Sequence, residues 1–276
     1  MIDLNQLYYA SEGESVVSLK VWMVLGEGAV FLTFLLTGVY IMQRTIRKEI
    51  NLVRQQRNFL LSITHELKTP IAAIKLGIQT LQKRKELNSN QREMMEQSAL
   101  TNTERLHSLI DNVLLATRIE SGQHPLDLIP TNISSETLRI CKETSLSLAK
   151  HNSIHTAIDD GIVTSLDSGA HESILINLLE NALKYSDGGK VRVSLKKLDE
   201  RIVLTVEDEG VGIPKSERKK VFEKFYRMGN EETRSKKGTG LGLFIVKELV
   251  ELHRGAVEVL DSRELGGAKF KITLPA

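Results

Sequence analysis

The sequence is poor in cysteine, in aromatic residues and in net charge, and each shortage excludes a class of protein. A single cysteine in 276 residues, Cys141, excludes an intrachain disulfide framework and a zinc-knuckle array. Lysine plus arginine (37) nearly balances aspartate plus glutamate (35), so no global basic field is available to bind nucleic acid. Aromatic residues make up 5% of the chain. With 41% hydrophobic and 26% charged residues the chain is not disordered throughout, and its length allows one large domain or two small ones.

The longest apolar run, residues 21–42 (VWMVLGEGAVFLTFLLTGVYIM), predicts a transmembrane helix. It contains one charged residue, Glu27, and at ~1.5 Å per residue it would span ~33 Å, the thickness of a bilayer core. A cleaved signal peptide would have a shorter apolar run of ~7–15 residues behind a basic start. Here the preceding residues are acidic, which argues against a signal peptide. The other alternative is a buried helix of a soluble domain, which the length and composition of the run disfavour.

The charges that flank this run predict its orientation. Five basic residues follow it closely, and the positive-inside rule places them in the cytoplasm: Arg44, Arg47, Lys48, Arg54 and Arg57. We therefore expect residues 1–20 to form a short extracytoplasmic N-terminus. Glu27 is costly inside a membrane, so a functional role is the first hypothesis; snorkelling to the surface or a dimer contact are equal alternatives.

After the span, the sequence predicts two long helices that form a hairpin. Residues 43–86 contain one proline and one glycine, and ELNSN at 86–90 predicts a turn. A mostly apolar stripe recurs at alternating steps of four and three in both arms, as in packed helical bundles: Ile46, Ile50, Val53, Arg57, Leu60, Thr64 and Leu67, then Met95, Ala99, Asn102, Leu106, Leu109, Val113 and Ala116. Since one hairpin cannot bury both stripes, two copies should pair as a four-helix bundle. A coiled-coil spacer is the simpler alternative.

A histidine on the first arm has chemically suitable neighbours in FLLSITHELKTP (59–70). Because Thr64 and Leu67 occupy the stripe, His65 should face outward. Glu66 is placed to accept a hydrogen bond from the imidazole, which would leave the other ring nitrogen as a nucleophile. Thr69 offers a hydroxyl that could position a water. Pro70 removes a helical hydrogen bond and should bend or loosen the helix.

The pattern changes at about residue 124, where short strands begin to alternate with helices. The mixture predicts an α+β sandwich. The predicted helices lie near 134–150 and 242–253, and the predicted strands at 190–197, 201–206, 256–260 and 268–274.

The first polar cluster of this half lies in NLLENALKYS (177–186). On a helix, Asn177, Asn181, Lys184 and Tyr185 share one face. An amide oxygen can ligate Mg²⁺, and a lysine neutralises phosphate, so this face suits a metal-bound triphosphate. A solvated helix face is the alternative.

Two glycine-rich segments follow. In DEGVGIP (208–214), an acceptor-only carboxylate at Asp208 could bind the amino group of adenine, and the glycines permit close approach of a ligand. In GTGLGL (238–243), glycines open a helix, as in phosphate-binding loops. The second segment is not a dinucleotide-binding fingerprint, because that motif needs a glycine where this chain has Leu243. It is not a P-loop either, because it lacks the Lys-Ser/Thr pair of that motif.

A fourth cluster, VFEKFYR (221–227), precedes a polar stretch at 228–237 that we expect to be a mobile lid. Arg227, Arg234 or Lys236 could reach a phosphate from it. A solvated loop is the alternative.

These motifs resemble those of a known family. HELKTP resembles the phosphoacceptor box of sensor histidine kinases of bacterial two-component systems. In order and spacing, the four clusters resemble the N, G1, F and G2 boxes of the histidine-kinase ATP-binding domain. The resemblance covers residues 43–276 and implies a HisKA-type dimerisation domain and a GHKL-type (Bergerat-type) α/β sandwich that binds ATP.

The resemblance also implies residue roles. His65 would be phosphorylated, Glu66 would activate it and Thr69 would support dephosphorylation of a partner. Asn181 would hold Mg²⁺ beside Asn177. The remaining contacts to ATP would come from Lys184, Tyr185, Asp208, Gly210, Gly212, Arg227, Gly238, Thr239, Gly240, Leu241 and Gly242. The chain would act as a homodimer in the bacterial inner membrane, with its catalytic part in the cytoplasm, and would transfer phosphate to a response regulator.

One position discriminates within the wider ATPase superfamily. The gyrase, chaperone and mismatch-repair branches carry a glutamate that activates water where this chain has Asn177, and an amide is a poor base. The sequence therefore favours transfer to His65 over ATP hydrolysis. The rival hypothesis is a non-catalytic membrane scaffold or sensor that binds nucleotide without phosphotransfer.

The predicted domains are the N-terminus (1–20), a transmembrane helix (21–42), a signalling helix (43–58), the dimerisation and phosphotransfer domain (59–122) and the ATP-binding domain (123–276). The outer segment is too short for a packed domain, which leaves open whether Met1 is the true start. The stimulus, the partner regulator and cis or trans phosphorylation are not determined by the sequence.

Overall fold

A computed structural model describes residues 4–83, 88–122, 124–147, 153–228 and 238–276. The chain divides into two compact units, Met1–Arg54 and Gln55–Ala276. The first helix, α1, is Leu4–Lys83 and passes through both. Residues 86 and 87 of the predicted turn at 86–90, and nearly all of the predicted lid at 228–237, with Arg234 and Lys236, lie outside the described residues.

The first unit contains a helical segment that is long and apolar enough to cross a membrane. Its large apolar side chains contact solvent rather than protein: Trp22, Phe31 and Phe34 are each at least 70% exposed. The hydroxyls of Thr33 and Thr37 donate to backbone carbonyls four residues earlier in the helix. Such bonds satisfy polar groups without water.

In the second unit, α1 and α2 (Ser89–Glu120) form the predicted hairpin. The side chain of Asn88 caps α2, since its Oδ1 accepts from the N–H of Gln91 at 2.8 Å and Gln91 bonds back to the N–H of Asn88. α1 continues through Pro70, so the proline does not end the helix.

The face of α1 that is covered within the chain lies one position from the predicted stripe. Phe59 and Ile63 are half-buried and Glu66 is buried, whereas Leu60 and Thr64 are exposed. The stripe of α2 is half-buried or buried from Met95 to Ala116. A bundle helix has two neighbours, so α1 keeps a second apolar face uncovered in the single chain.

The C-terminal half is a sandwich of helices on one face of a mixed sheet. Its helices are α3 (Ile133–Ser147), α4 (Ser168–Ser186) and α5 (Gly242–Leu252), with a short 3-10 helix at Lys220–Phe222. Strands β1 (Ile129–Asn132) and β3 (Val163–Leu166) form an antiparallel pair. The five-stranded sheet has the order β2-β4-β5-β7-β6, formed by Ser153–Ile158, Lys190–Leu198, Arg201–Asp208, Ala268–Pro275 and Ala256–Asp261.

The sheet buries one face under the helices. Alternate residues of the central strands point inward, among them Val193, Leu204 and Ile272, each at most 2% exposed. α4 packs on β4 and β5, while α3 and α5 flank it on β2 and β6. The predicted elements of this half are all present with ends shifted by a few residues; β1, β2 and β3 are additional.

Candidate functional site

A cavity of about 1080 Å³ lies between α4, the segment after β5, the start of α5 and the second arm of the hairpin. This size accommodates a nucleotide. Of the residues proposed from the sequence, most line this cavity: Glu66, Asn177, Asn181, Lys184, Tyr185, Asp208, Gly212, Arg227, Gly238, Thr239, Gly240 and Gly242. His65, Thr69, Gly210 and Leu241 are not among the lining residues.

The polar face of α4 is held in place by its own helix and by α5. The side chain of Asn177 is buried, and its Nδ2 donates to the carbonyl of Ser173 at 2.8 Å. Its Oδ1 lies against Gly242, where a β-carbon would come within 2.6 Å. The ammonium of Lys184 lies 5.0 Å from the centroid of the Tyr185 ring. Glycine at 242 is therefore required by the close approach of α4 to the start of α5.

Asp208 ends β5 as a buried carboxylate, 4% exposed. Its Oδ1 accepts from the N–H groups of Gly210 at 2.9 Å and Ala268 at 3.1 Å. Burial raises the pKa of Asp208, while these two hydrogen bonds oppose the rise. Since both bonds end on one oxygen, the other can accept from a ligand. The apolar side chains of Ile213, Val221 and Phe270 line the same cavity.

Two positions next to Asp208 have no room for a side chain, so only glycine fits there. A β-carbon on Gly210 would come within 2.8 Å of Asp208 Oδ1 and of the Tyr185 carbonyl. A β-carbon on Gly267 would come within 2.3 Å of the Asp208 carbonyl and 2.4 Å of Oδ1. Gly267 and Ala268 were not predicted as site residues; the sequence signal that could have pointed to them is a Gly-Gly pair immediately before a predicted strand.

The segment 238–242 packs on the fourth cluster. Gly240 has a φ of +73°, and a β-carbon there would come within 2.8 Å of the Phe225 and Tyr226 backbone. Leu241 is 1% exposed and belongs to the core, so its side chain anchors the segment rather than facing a ligand. α5 begins at Gly242 next to the cavity, which leaves the N–H groups of its first turn available to an anion.

The C-terminal half touches α1 between one and two turns before His65. Phe225 stacks on Phe59 with ring centroids 4.0 Å apart. Arg227 Nη1 donates to Ser62 Oγ at 3.0 Å, and Ser62 Oγ donates to the Gly238 carbonyl at 2.9 Å. No local signal predicted this contact, because Phe59 and Phe225 are 166 positions apart in sequence.

The side chains of His65 and Glu66, neighbours in the segment 59–70, have different surroundings. His65 is exposed, whereas Glu66 is buried and faces the cavity. Arg105 on α2 donates from Nη2 to Glu66 Oε2 at 3.1 Å. The Thr69 hydroxyl donates to the His65 carbonyl at 3.1 Å. The proposed hydrogen bond between Glu66 and His65 is thus replaced here by an ion pair with Arg105.

The donors around the cavity fit Mg²⁺ that arrives with a triphosphate. Among the described residues, no group of three or more His, Cys, Asp or Glu side chains could hold a metal ion. Asn181 contributes a half-buried amide at the cavity wall, and Mg²⁺ is commonly held by few protein ligands plus phosphate oxygens and water. Asn181 would therefore hold the metal only together with a bound nucleotide.

Comparison with known families matches two segments of the chain. Residues 55–122 match the family described as His Kinase A (phospho-acceptor) domain. Residues 167–276 match the family described as Histidine kinase-, DNA gyrase B-, and HSP90-like ATPase. The first match contains the HELKTP segment, and the second contains the residues that line the cavity on the α4, β5 and α5 side.

Curated relatives are similar over most of this chain but are longer. Sensor histidine kinase TmoS of Ectopseudomonas mendocina is 30% identical over 243 residues, 85% of this chain and 24% of TmoS. Sensor histidine kinase WalK of Bacillus subtilis is 29% identical over 233 residues, 80% of this chain and 37% of WalK. The chain thus spans about a quarter to two fifths of the length of these relatives.

Solved structures share the fold. Full-length ShkA in complex with AMPPNP has a TM-score of 0.56 and 29% identity, covering 80% of this chain and 45% of ShkA. Histidine kinase AdeS of Acinetobacter baumannii has a TM-score of 0.54 and 23% identity, covering 76% of this chain and 97% of that one. These two solved structures therefore share the fold of this chain over about three quarters or more of its length.

Proposed function

Because the chain belongs to the sensor histidine kinase family, we propose that it phosphorylates His65 from ATP and passes the phosphoryl group to an aspartate of a response regulator. One observation carries this proposal. Glu66, the neighbour of His65, lines the same cavity as Asn177, Lys184 and Asp208. The phosphoacceptor arm and the candidate nucleotide site therefore adjoin within one chain.

The chemistry requires positioning and charge neutralisation. Asp208 accepts from the amino group of adenine, and Lys184 neutralises phosphate. Asn181 holds Mg²⁺, which when bound screens the charge of the triphosphate. The unprotonated nitrogen of His65 attacks the γ-phosphorus, the bond to the bridging oxygen breaks, and ADP leaves with that electron pair. Glu66 accepts the proton from the other ring nitrogen.

The remaining nucleotide contacts follow the cavity wall. Tyr185, Arg227 and Gly212 surround the sugar and phosphates, and the backbone of Gly238, Thr239, Gly240 and Gly242 follows the triphosphate. Gly210 acts beneath Asp208, where its N–H fixes the carboxylate. Leu241 anchors the loop from the core.

We assign a domain order along the chain: an outer N-terminus (1–20), a membrane helix (21–42), a signalling helix (43–58), a dimerisation and phosphotransfer domain (59–122) and an ATP-binding domain (123–276). The exposed apolar side chains of residues 22–42 support the membrane helix, and the basic residues after it support a cytoplasmic catalytic part in a bacterial inner membrane.

The active form is a homodimer. The hairpin leaves large apolar side chains exposed on both arms, and a second hairpin would cover them as a four-helix bundle: Leu60, Ile71, Ile78, Leu100, Ile110 and Leu114.

Thr69 supports the reverse activity, dephosphorylation of the regulator, by positioning water with its hydroxyl.

The test is labelling of the full chain in lipid nanodiscs with radiolabelled ATP and Mg²⁺. We expect label that is stable in alkali and lost in acid, and its absence in His65→Gln. His107→Gln is the matched control, because His107 is an exposed histidine of α2 outside the cavity. Acid-labile label that persists in His65→Gln would overturn the assignment of the phosphorylated residue.

Other outcomes separate the alternatives. Binding of ATP without phosphohistidine would favour a non-catalytic membrane scaffold or sensor. Steady release of phosphate without a phosphoenzyme would indicate an ATP hydrolase, which Asn177 disfavours because an amide cannot act as the base. For Thr69, a Thr69→Ala variant that dephosphorylates the regulator at the full rate would remove its proposed role.

A further inference from the structure

The ion pair between Arg105 and Glu66 is not explained by the activity proposed above. Its geometry is that of a direct hydrogen bond, 3.1 Å from Arg105 Nη2 to Glu66 Oε2. The Glu66 side chain is 9% exposed, so its carboxylate is withdrawn from solvent and satisfied by α2. Only the Glu66 side of the pair is buried, so removal of Arg105 would leave this carboxylate unpaired where water reaches it poorly.

This ion pair keeps Glu66 from His65. Successive helix residues point about 100° apart, so a carboxylate that reaches α2 is turned away from an imidazole that faces solvent. His65 is exposed, and no hydrogen bond to its imidazole is found among the described residues. In this arrangement the histidine lacks the acceptor that would fix its tautomer.

Arg105 also faces the nucleotide cavity. It lines the cavity with Asn177, Asn181 and Lys184. The carboxylate of Glu180 on α4 lines the same cavity, so Arg105 faces a second acidic side chain there. The Arg105 side chain is 56% exposed, so it has room to move.

The charges of the cavity make Arg105 sensitive to a triphosphate. The lining carboxylates are Glu66, Glu104, Glu180 and Asp208, and the lining cations are Arg105, Lys184 and Arg227. Without nucleotide, Arg105 neutralises carboxylates. A triphosphate brings about four negative charges, and guanidinium binds phosphate in bidentate geometry more strongly than it binds one carboxylate oxygen.

We propose that Arg105 is a positioning residue for phosphoryl transfer, which holds the Glu66 carboxylate off His65 until the phosphates of ATP bind its guanidinium. This inference rests on the proposed kinase function. Release of Glu66 then lets its carboxylate accept a hydrogen bond from His65, so the nucleophile is activated only when the donor is bound. No bond is made or broken by Arg105 itself.

The first test measures the imidazole directly, without catalysis. Diethylpyrocarbonate modification of His65 in the full chain in nanodiscs, followed by peptide mass spectrometry across pH 5–9, gives the pKa of the imidazole. In nucleotide-free Arg105→Gln, we expect this pKa to rise by about one unit over the wild type, because a released carboxylate favours the imidazolium form. Adding AMPPNP with Mg²⁺ should raise the wild-type pKa similarly and leave the variant unchanged.

The double variant Glu66→Gln/Arg105→Gln distinguishes release of Glu66 from simple loss of a nearby cation. We expect no rise relative to Glu66→Gln, whereas a rise that persists would show that only the charge of Arg105 matters and would overturn the proposal. Identical profiles for wild type and Arg105→Gln, with and without AMPPNP, would overturn it as well. Arg92→Gln is the matched control, since Arg92 is an exposed arginine of α2 outside the cavity.

The second test is kinetic. We expect Arg105→Gln to raise KM for ATP about fivefold in autophosphorylation, because a phosphate contact is lost, and Arg105→Lys to restore about half of the loss. An unchanged KM would contradict the phosphate contact. If the wild type itself forms no phosphohistidine, the proposed function fails; if it does and the His65 profiles do not move, the role of Arg105 alone fails.

Discussion

Phe59 of the hairpin and Phe225 of the ATP-binding half stack with their ring centroids 4.0 Å apart. Phe225 has a φ of +67°, a left-handed conformation that costs a non-glycine residue roughly 1–2 kcal/mol. Its N–H donates to the Gly240 carbonyl at 3.0 Å, and the Lys224 ammonium lies 4.8 Å from its ring centroid. The stack therefore contributes to holding a strained segment that supports the phosphate-binding loop.

Phe59→Ala should loosen that segment. Removing the stacked ring withdraws an aromatic contact of roughly 1 kcal/mol, plus the apolar area that the ring covers. We expect faster hydrogen exchange at the amides of 223–227 and little change in β4 or β5. Leu198→Ala, at an exposed strand end, is the control. Unchanged exchange at Phe225 would show that the Gly240 bond holds the segment alone.

Asp208→Asn should separate folding from nucleotide binding. The amide oxygen can keep both hydrogen bonds, from Gly210 and Ala268, but the amide nitrogen would then meet the adenine amino group, donor against donor. We expect ATP affinity to fall by about tenfold or more, measured by calorimetry.

The stability of the same variant serves as its control. Burial raises the pKa of Asp208, so the charged form is disfavoured in the folded protein and the stability it costs is greatest above that pKa. An uncharged amide avoids this cost. The melting temperature at pH 7 should therefore stay level or rise, and a clear fall would mean that the lost affinity reflects misfolding.

Gly267→Ala should disrupt the site because its new β-carbon clashes with Asp208, not because the backbone conformation at 267 excludes alanine. Its β-carbon would clash with the Asp208 backbone and carboxylate, and large destabilisation, roughly 2 kcal/mol or more, is expected. At Gly266, a β-carbon meets nothing within 4 Å but φ is +83°, so Gly266→Ala should cost only about 1 kcal/mol. Thermal melting with and without ATP compares the two. If the two variants lose equal amounts of stability, backbone strain rather than crowding at Asp208 causes the destabilisation.

His171 should make the protein sensitive to mild acid. It is 1% exposed, its Nε2 lies 3.0 Å from the Thr137 hydroxyl, and burial lowers its pKa to about 4. The unfolded chain binds a proton below about pH 6.5, whereas the folded chain does not until about pH 4. The contribution of the neutral, buried His171 to the free energy of unfolding is thus complete above pH 6.5. It falls by roughly 3 kcal/mol as the pH drops to 4.

The variant His171→Gln tests this pH dependence. We expect its melting temperature to depend less on pH between 6.5 and 4 than that of the wild type, even if it is lower throughout. His107→Gln, at an exposed position, should keep the wild-type slope. Equal slopes in all three proteins would assign the acid sensitivity to other groups.

Regular patterns made much of the fold predictable. The alternation in KVRVSLKK and RIVLTV gave two adjacent strands, which the structure pairs antiparallel with Val193 opposite Val206. The strands β1, β2 and β3 were not predicted. β1 and β3 are four-residue strands, and IPTN (129–132) contains a proline and an asparagine, so no alternation is visible.

The candidate site was predictable where its residues are local. Asn177, Asn181 and Lys184 share a face because a helix repeats every 3.6 residues, and the structure places all three at one cavity. Gly267 and Ala268 could not be found in the same way. Their importance comes from the pairing of β5 with β7, which brings them to Asp208 from 60 positions away.

By itself, the sequence determined the chemical groups and their local order: an apolar helix followed by basic residues, a histidine beside a carboxylate, and amides, a carboxylate and glycines in a family-specific sequence. Only the tertiary structure decided which partners these groups have. Glu66 lies next to His65 in the chain, yet its carboxylate bonds to Arg105, 39 positions later. The reason is physical: helical periodicity fixes the direction in which a side chain points, but the partner in that direction depends on which helix packs there.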